Sequence, residues 1–187
     1  VLDGEADAAV HSAKDLTAVT GAGLALAAVP ERGDPRDALV GSSLDALAPG
    51  ATVATGSQRR RVQVAALRPD LRFVELRGNI ATRLGKVPDG GAIVVAATAL
   101  DRLALADRIA ERFDVDVLVP QVGQGALAVE SRADDDETRR LVAAVEHGTS
   151  RLTVDAERAY LAALGGDCDL PAGAHATLDA DGSTVTV

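Results

Sequence analysis

The sequence predicts an α/β protein with a mostly parallel sheet covered by helices. Three observations carry that prediction. From about residue 51 onward, short apolar runs alternate with segments of helical period. Glycine, proline and aspartate punctuate those segments at the places where turns are needed. With 47% hydrophobic and 25% charged residues, the 187-residue chain has enough apolar mass for a buried core and the composition of a folded domain.

In chain order, residues 7–11 and 24–29 read as short strands, separated by a turn-rich stretch ending in Gly21-Ala22-Gly23. A strand at 51–54 leads to a helix over 57–67, a strand over 72–76, a helix over 79–87, a strand over 91–96 and a helix over 98–105. Residues 115–119 and 126–130 read as further strands. Asp134-Asp135-Asp136-Glu137 opens a helix running to about residue 146, where four acids suit a helix N-terminus. A last helix, 151–164, places Leu152, Ala156, Ala159, Tyr160 and Ala163 on one side and stops at Gly165-Gly166. Residues 174–178 and 184–187 flank Asp181-Gly182, a hairpin turn signal. Pro30 to Pro35 and the region of Gly148 read as hinges. In such sheets ligands sit at the carboxyl ends of the strands.

Composition narrows the function. The formal net charge is -9 and aromatics are 2%, which disfavours a general polyanion binder and leaves little material for base stacking. No run of apolar residues is long enough to span a membrane, and one cysteine, Cys168, excludes an intrachain disulfide. A cytoplasmic protein is expected. The chain has no methionine and opens in mid-pattern on Val1, so it reads as a fragment. Its charge is uneven: Arg59, Arg60, Arg61, Arg68, Arg72, Arg77, Arg83 and Lys86 face only Asp70 and Glu75 over 28 residues, a surplus of six positive charges. Arginine's planar fork suits bidentate capture of carboxylate or phosphate, so the island suggests a small polyanionic ligand.

Several motifs carry possible chemistry. In Thr55-Gly56-Ser57-Gln58-Arg59-Arg60 a strand passes through a glycine turn into a helix, where backbone amides, the Ser57 hydroxyl and two guanidiniums would converge on one anion. The plainer reading makes Ser57 an N-cap and the arginines surface residues. Leu76-Arg77-Gly78-Asn79, with Arg83 one turn on, repeats the arrangement. His11-Ser12-Ala13-Lys14-Asp15 follows a strand, so Asp15 is a candidate to stabilise a cation or shuttle a proton, against the plainer reading of an exposed ion pair. His147 and His175 show no metal-ligand spacing, and no metal is expected. Gly123-Gln124-Gly125-Ala126 satisfies a loose dinucleotide fingerprint, but a strand follows where that motif demands a helix. Cys168 lies in a loop, where Asp167 and Asp169 would raise its thiol pKa.

Seven collinear segments together resemble the hydroxymethylbilane synthase (porphobilinogen deaminase) family. They are Ala8-Ala9-Val10-His11-Ser12-Ala13-Lys14-Asp15, Asp34-Pro35-Arg36-Asp37-Ala38-Leu39, Thr55-Gly56-Ser57-Gln58-Arg59-Arg60, Leu76-Arg77-Gly78-Asn79-Ile80-Ala81-Thr82-Arg83, Val122-Gly123-Gln124-Gly125-Ala126, Ala156-Glu157-Arg158-Ala159, and the cysteine loop to Pro171-Ala172-Gly173-Ala174. The resemblance implies two-lobed, periplasmic-binding-protein-like α/β domains with mixed or parallel sheets, plus the start of a small α+β third domain. Residues 1–30 and 122–147 would belong to domain 1, 31–121 to domain 2, and 148–187 to domain 3. The N-terminal part of domain 1 and most of domain 3 are expected to lie outside the chain.

The same resemblance implies a transferase that condenses four porphobilinogen molecules into hydroxymethylbilane with release of ammonia, in tetrapyrrole biosynthesis. It implies a dipyrromethane cofactor attached through Cys168, with Asp15 as the catalytic carboxylate. Lys14, Ser57, Arg59, Arg60, Arg77 and Arg83 would bind acetate and propionate groups of the cofactor and growing chain, and Arg102 would add a substrate contact. The partner is porphobilinogen, not nucleic acid or membrane, and a monomer is expected. The competing expectation is a non-catalytic two-lobed module that binds a small dicarboxylate or oxyanion.

Overall fold

The structure, a computed structural model, describes residues 1–165, 171–182 and 184–187. Its strands and helices run as follows: β1 (Ala8–Ser12), β2 (Leu24–Ala28), β3 (Asp37–Val40), β4 (Thr52–Ala54), α1 (Gln58–Leu67), β5 (Arg72–Val74), α2 (Ile80–Leu84), β6 (Ala92–Ala96), α3 (Ala97–Asp101), β7 (Ile109–Arg112), β8 (Leu127–Arg132), α4 (Asp136–Val142), α5 (Gly148–Ala163), β9 (Thr177–Leu178) and β10 (Val185–Thr186). They form two compact units, Val1–Gly33 with Gln121–Val187, and Asp34–Pro120.

The second unit is a five-stranded sheet of order β5-β4-β6-β3-β7. Because both faces are covered, β6 is a continuous apolar run, Ala-Ile-Val-Val-Ala, with every residue buried. Ala92 and Val94 pack with Leu39, Val53, Val64 and Phe113, while Ile93 and Val95 pack on the other face with Val40, Ala54, Leu76 and Leu100. Aliphatic side chains dominate both layers, as the scarcity of aromatics requires. Helix α1 starts at Ser57, whose side chain accepts from the Arg60 N–H, and ends at Arg68, the residue before Pro69, where the proline ring disfavours helical backbone. Helix α2 is capped by Asn79, which accepts from the Thr82 N–H at 2.9 Å.

The first unit holds an antiparallel sheet of order β1-β8-β2 and a small β9–β10 hairpin. Ala13, Val29, Ala126, Ala128 and Val154 form its core, with Leu16 and Leu26 against them. Asp135 caps α4, accepting from the Thr138 N–H at 3.0 Å, and Asp136 and Glu137 occupy the first turn, so the acidic run does serve a helix N-terminus.

The structure corrects several expectations. Parallel pairing is confined to β5-β4-β6; β3 lies antiparallel to both β6 and β7, so the sheet is mixed. Strands β3 and β7 escape a reading based on pattern, since β3 is four fully buried residues with no alternation and β7 is a short edge, Ile-Ala-Glu-Arg, with two apolar residues followed by two charged ones. Residues 115–119 are a turn and not a strand: the Asp114 carbonyl accepts from both the Val117 and Leu118 N–H groups, and Leu118 drops into the core. Helix α5 begins at residue 148 because His147 caps it, a residue type outside the usual capping set. Its buried face is Ser150, Thr153, Val154, Glu157, Arg158 and Leu161, whereas Leu152 and Tyr160 are exposed. Polar pairing, not apolar periodicity, decides which side of that helix is inside.

Candidate functional site

In the first unit, β1 ends in a single 3-10 turn, Ala13–Asp15, that presents Lys14 and Asp15 beyond the strand. Pairing with β8 continues one step past the strand, since the Ala13 N–H donates to the Ala126 carbonyl at 3.0 Å. Ala13 is buried and Asp15 exposed. Beneath the turn lies Gly123, whose φ is +71°. A Cβ there would come within 3.0 Å of the Ala13 carbonyl carbon and 3.1 Å of the Lys14 nitrogen, so the glycine permits both the left-handed backbone and the close approach. The Gln121 side chain donates to the Lys14 carbonyl at 3.2 Å. The Gly123-Gln124-Gly125 loop, a failed nucleotide fingerprint, is therefore a floor under the Lys14–Asp15 turn, and the strand read after it is β8.

Glu157 on α5 fixes that floor. Its carboxylate is fully buried and accepts from Arg32 at 2.7 and 3.2 Å, from the Gly123 N–H at 2.7 Å and from the Ala176 N–H at 2.8 Å. Arg32 also donates to the Gln124 carbonyl at 2.9 Å. Burial works to raise the Glu157 pKa, but His175, the Arg32 hydrogen bonds and charge, and the Ala176 N–H outweigh it and hold the group below its ordinary value of 4.5. His175 Nδ1 stands 3.7 Å away, beyond hydrogen-bond reach, so Arg32 is the partner that the geometry supports. Nearby on the sheet, His11 Nε2 lies 3.2 Å from the Glu130 carboxylate, a structural pairing across β1 and β8.

In the second unit, two adjacent parallel strands, β4 and β5, end beside the arginine motifs. Gly56 lets these ends approach, because a Cβ there would sit 2.6 Å from the Leu76 carbonyl oxygen. Arg59 and Arg60, in the first turn of α1, are only 3% and 5% exposed. Both bind the fully buried carboxylate of Asp37. Arg59 Nη2 donates to Oδ2 at 2.7 Å, and Arg60 Nε donates to Oδ1 at 2.8 Å with its Nη2 at 2.7 Å. Arg59 Nη1 also donates to the Val119 carbonyl. Burial pushes the Arg59 pKa down, the Asp37 charge pulls it up and the Arg60 charge pushes it down again, with a net lowering. Ser57 caps the same helix, with its hydroxyl accepting from the Arg60 N–H at 3.4 Å.

Arg77 is almost fully exposed beside Glu75, with Nε 3.1 Å from its carboxylate. Arg83 donates to the Gly78 carbonyl at 2.7 Å and Lys86 to the Arg77 carbonyl at 3.1 Å, so the loop before α2 gathers three cations. Arg102 follows α3 and is exposed. Each unit thus holds its share of the expected residues: Lys14 and Asp15 in one, Ser57, Arg59, Arg60, Arg77, Arg83 and Arg102 in the other. Cys168 lies outside the described residues. Among the described residues, no group of three His, Cys, Asp or Glu side chains is placed to hold a metal ion, and no helix is long and apolar enough to cross a membrane.

The arginine cluster carries its own requirement. Two guanidiniums share one carboxylate, and Arg59 Nε is a buried donor with no partner. A ligand bearing carboxylates answers the surplus charge. Residues 1–140 match the family model described as porphobilinogen deaminase, dipyromethane cofactor binding domain. The chain belongs to the porphobilinogen deaminase family. The porphobilinogen deaminase of Roseiflexus sp. (strain RS-1) is 52% identical over 183 residues, covering 95% of this chain and 60% of that protein. That of Thermobifida fusca (strain YX) is 51% identical over 187 residues, covering 97% and 58%. The Brevibacillus brevis enzyme is 46% identical over 183 residues, covering 95% and 59%. The chain therefore spans about 60% of the length of these curated relatives. A solved substrate binding protein of an amino acid ABC transporter is similar at 14% identity and a TM-score of 0.34, covering 73% of this chain and 59% of its own, a likeness too low to carry an argument.

Sequence reading singled out neither Asp37 nor Glu157 as functional, although both sit in quoted segments. An acid alone in an apolar strand, Asp-Ala-Leu-Val, and an acid on the inner face of a helix were the available signals.

Proposed function

We propose that this chain is the greater part of a hydroxymethylbilane synthase, which joins four porphobilinogen molecules head to tail with loss of ammonia on a dipyrromethane primer held through Cys168. The observation that carries the reading is the pair of guanidiniums sharing one carboxylate at the β4 end, in a chain whose residues 1–140 match the family model described as porphobilinogen deaminase, dipyromethane cofactor binding domain. The cofactor supplies the pyrrole carbon on which the oligomer grows. Arg59, Arg60, Arg77, Arg83 and Arg102, with Lys14 and Ser57, take the acetate and propionate groups, each arginine offering a planar pair of donors. Each added unit brings two carboxylates, so the demand for guanidinium rises as the chain lengthens. Asp15, held rigidly by the Gly123 floor but exposed itself, steadies the pyrrole nitrogens as positive charge develops.

Residues 148–187 are read as the opening of a third domain that carries Cys168, and the whole protein as a cytoplasmic monomer. Intact-mass measurement on the full-length protein supplied with porphobilinogen tests the reading. A covalent adduct that maps to Cys168 and turns red with acidified aldehyde reagent is expected. Turnover with an unmodified Cys168 would move the attachment elsewhere, and neither adduct nor turnover would overturn the function.

A further inference from the structure

We infer that Asp37 is the positioning residue for the Arg59–Arg60 pair, a role that rests on the reading of these arginines as carboxylate ligands. The acid is set by the sheet. It opens β3, a strand flanked on both sides, where it pairs with Ala96 on β6 and its carbonyl accepts from the Phe113 N–H at 2.9 Å. Its side chain is fully buried, so it has no solvent-facing rotamer to relax into. The two arginines come from another element 22 and 23 residues away, and each oxygen of the carboxylate takes one of them.

That division of labour has two consequences. First, it fixes the direction of both guanidiniums, because a carboxylate accepting on both oxygens in its plane leaves them little freedom. Second, it sets their joint charge. Two guanidiniums that are 3% and 5% exposed would repel each other and pay for lost hydration if nothing opposed them, and they would turn toward solvent. With Asp37 in place the group keeps one surplus positive charge, two guanidiniums against one carboxylate, which suits one ligand carboxylate. Asp37 touches no substrate on this view. It acts through the arginines.

The test uses the full-length protein with substitutions D37N and D37E. Loading of the dipyrromethane is read by intact mass on the folded fraction alone, alongside far-UV circular dichroism and melting temperature. Asp37→Asn keeps the shape and removes the charge, and it is expected to lower the loaded fraction at least tenfold, with Asp37→Glu recovering a substantial part. Folded Asp37→Asn protein loaded as fully as the wild type would overturn the inference, as would loss of melting temperature alone with normal loading, which marks a merely structural acid. If Asp37→Asn does not fold, the comparison passes to D37N/R60Q against R60Q, since removing one guanidinium with the carboxylate restores the charge balance. Loading at the R60Q level would then overturn the inference, and a further tenfold loss would support it. A wild type without any adduct sinks the functional reading and this inference with it. A loaded wild type beside an equally loaded Asp37→Asn sinks the inference alone.

Discussion

Asp15 owes its usefulness to neighbours that hold its backbone and leave its side chain exposed. Ala13 is buried beneath it, Gly123 admits the turn at van der Waals distance and Gln121 grips the Lys14 carbonyl, so the carboxylate is presented from a rigid base. Because among the described residues no hydrogen bond or ion pair is made to that carboxylate, replacing it should separate activity from stability. In the full-length protein Asp15→Asn is expected to slow turnover by about a hundredfold or more while leaving the melting temperature within about a degree of wild type. Rates near wild type in a folded variant would remove Asp15 from the chemistry.

Helix α1 shows how one short element serves both packing and binding. Val64 anchors it in the core, and its first turn delivers Arg59 and Arg60 to Asp37. Ser57 sits at the junction as an N-cap, the plainer of its two sequence readings, and among the described residues its hydroxyl makes one long bond, accepting from the Arg60 N–H at 3.4 Å. Ser57→Ala is therefore expected to cost about 0.5–1 kcal/mol of stability, measured by urea unfolding, at the low end for a lost cap. Ser57→Asp, which restores an acceptor, should regain that stability, whereas a loss of loading in both variants would mark the hydroxyl as a ligand contact. Helix α5 follows the opposite logic: its inner face is polar, and Glu157 ties Arg32, Gly123 and Ala176 into one knot.

For the molecule as a whole, that knot governs acid stability. Glu157 has a folded pKa below its ordinary 4.5, so it binds fewer protons folded than unfolded; its stabilisation is complete above pH 4.5 and is lost as the pH falls through the lowered value. Asp34, held low in the second unit by Arg36 and Arg112 against the effect of burial, adds a similar loss below 3.8. The melting temperature should stay level from neutral pH to about 5 and fall below 4.5. Glu157→Gln, which strands the buried Arg32 guanidinium, is expected to destabilise by about 3–5 kcal/mol at pH 7. It should also flatten the acid limb, because the group that titrates there is gone. An unchanged pH profile in that variant would show that acid unfolding begins elsewhere.

Much of this was legible in the linear chain, and for a local reason. Caps, turns and periodicity depend on neighbours a few residues apart, so α1, α2, α4, β6, β8 and the Asp181-Gly182 hairpin follow from their own residues. The same holds for the basic island and for Lys14–Asp15 at a strand end. Long-range pairing is not written in that way. Only the folded chain places β3 between β6 and β7, which turns Asp37 from an ordinary acid into the buried partner of two arginines. Only the folded chain rotates α5 so that Glu157 faces inward and Tyr160 outward. In both places a buried charge had to find its counter-charge across a long stretch of sequence, 125 residues in the case of Arg32 and Glu157. Solvation decides such pairings, and solvation is a property of the assembled interior.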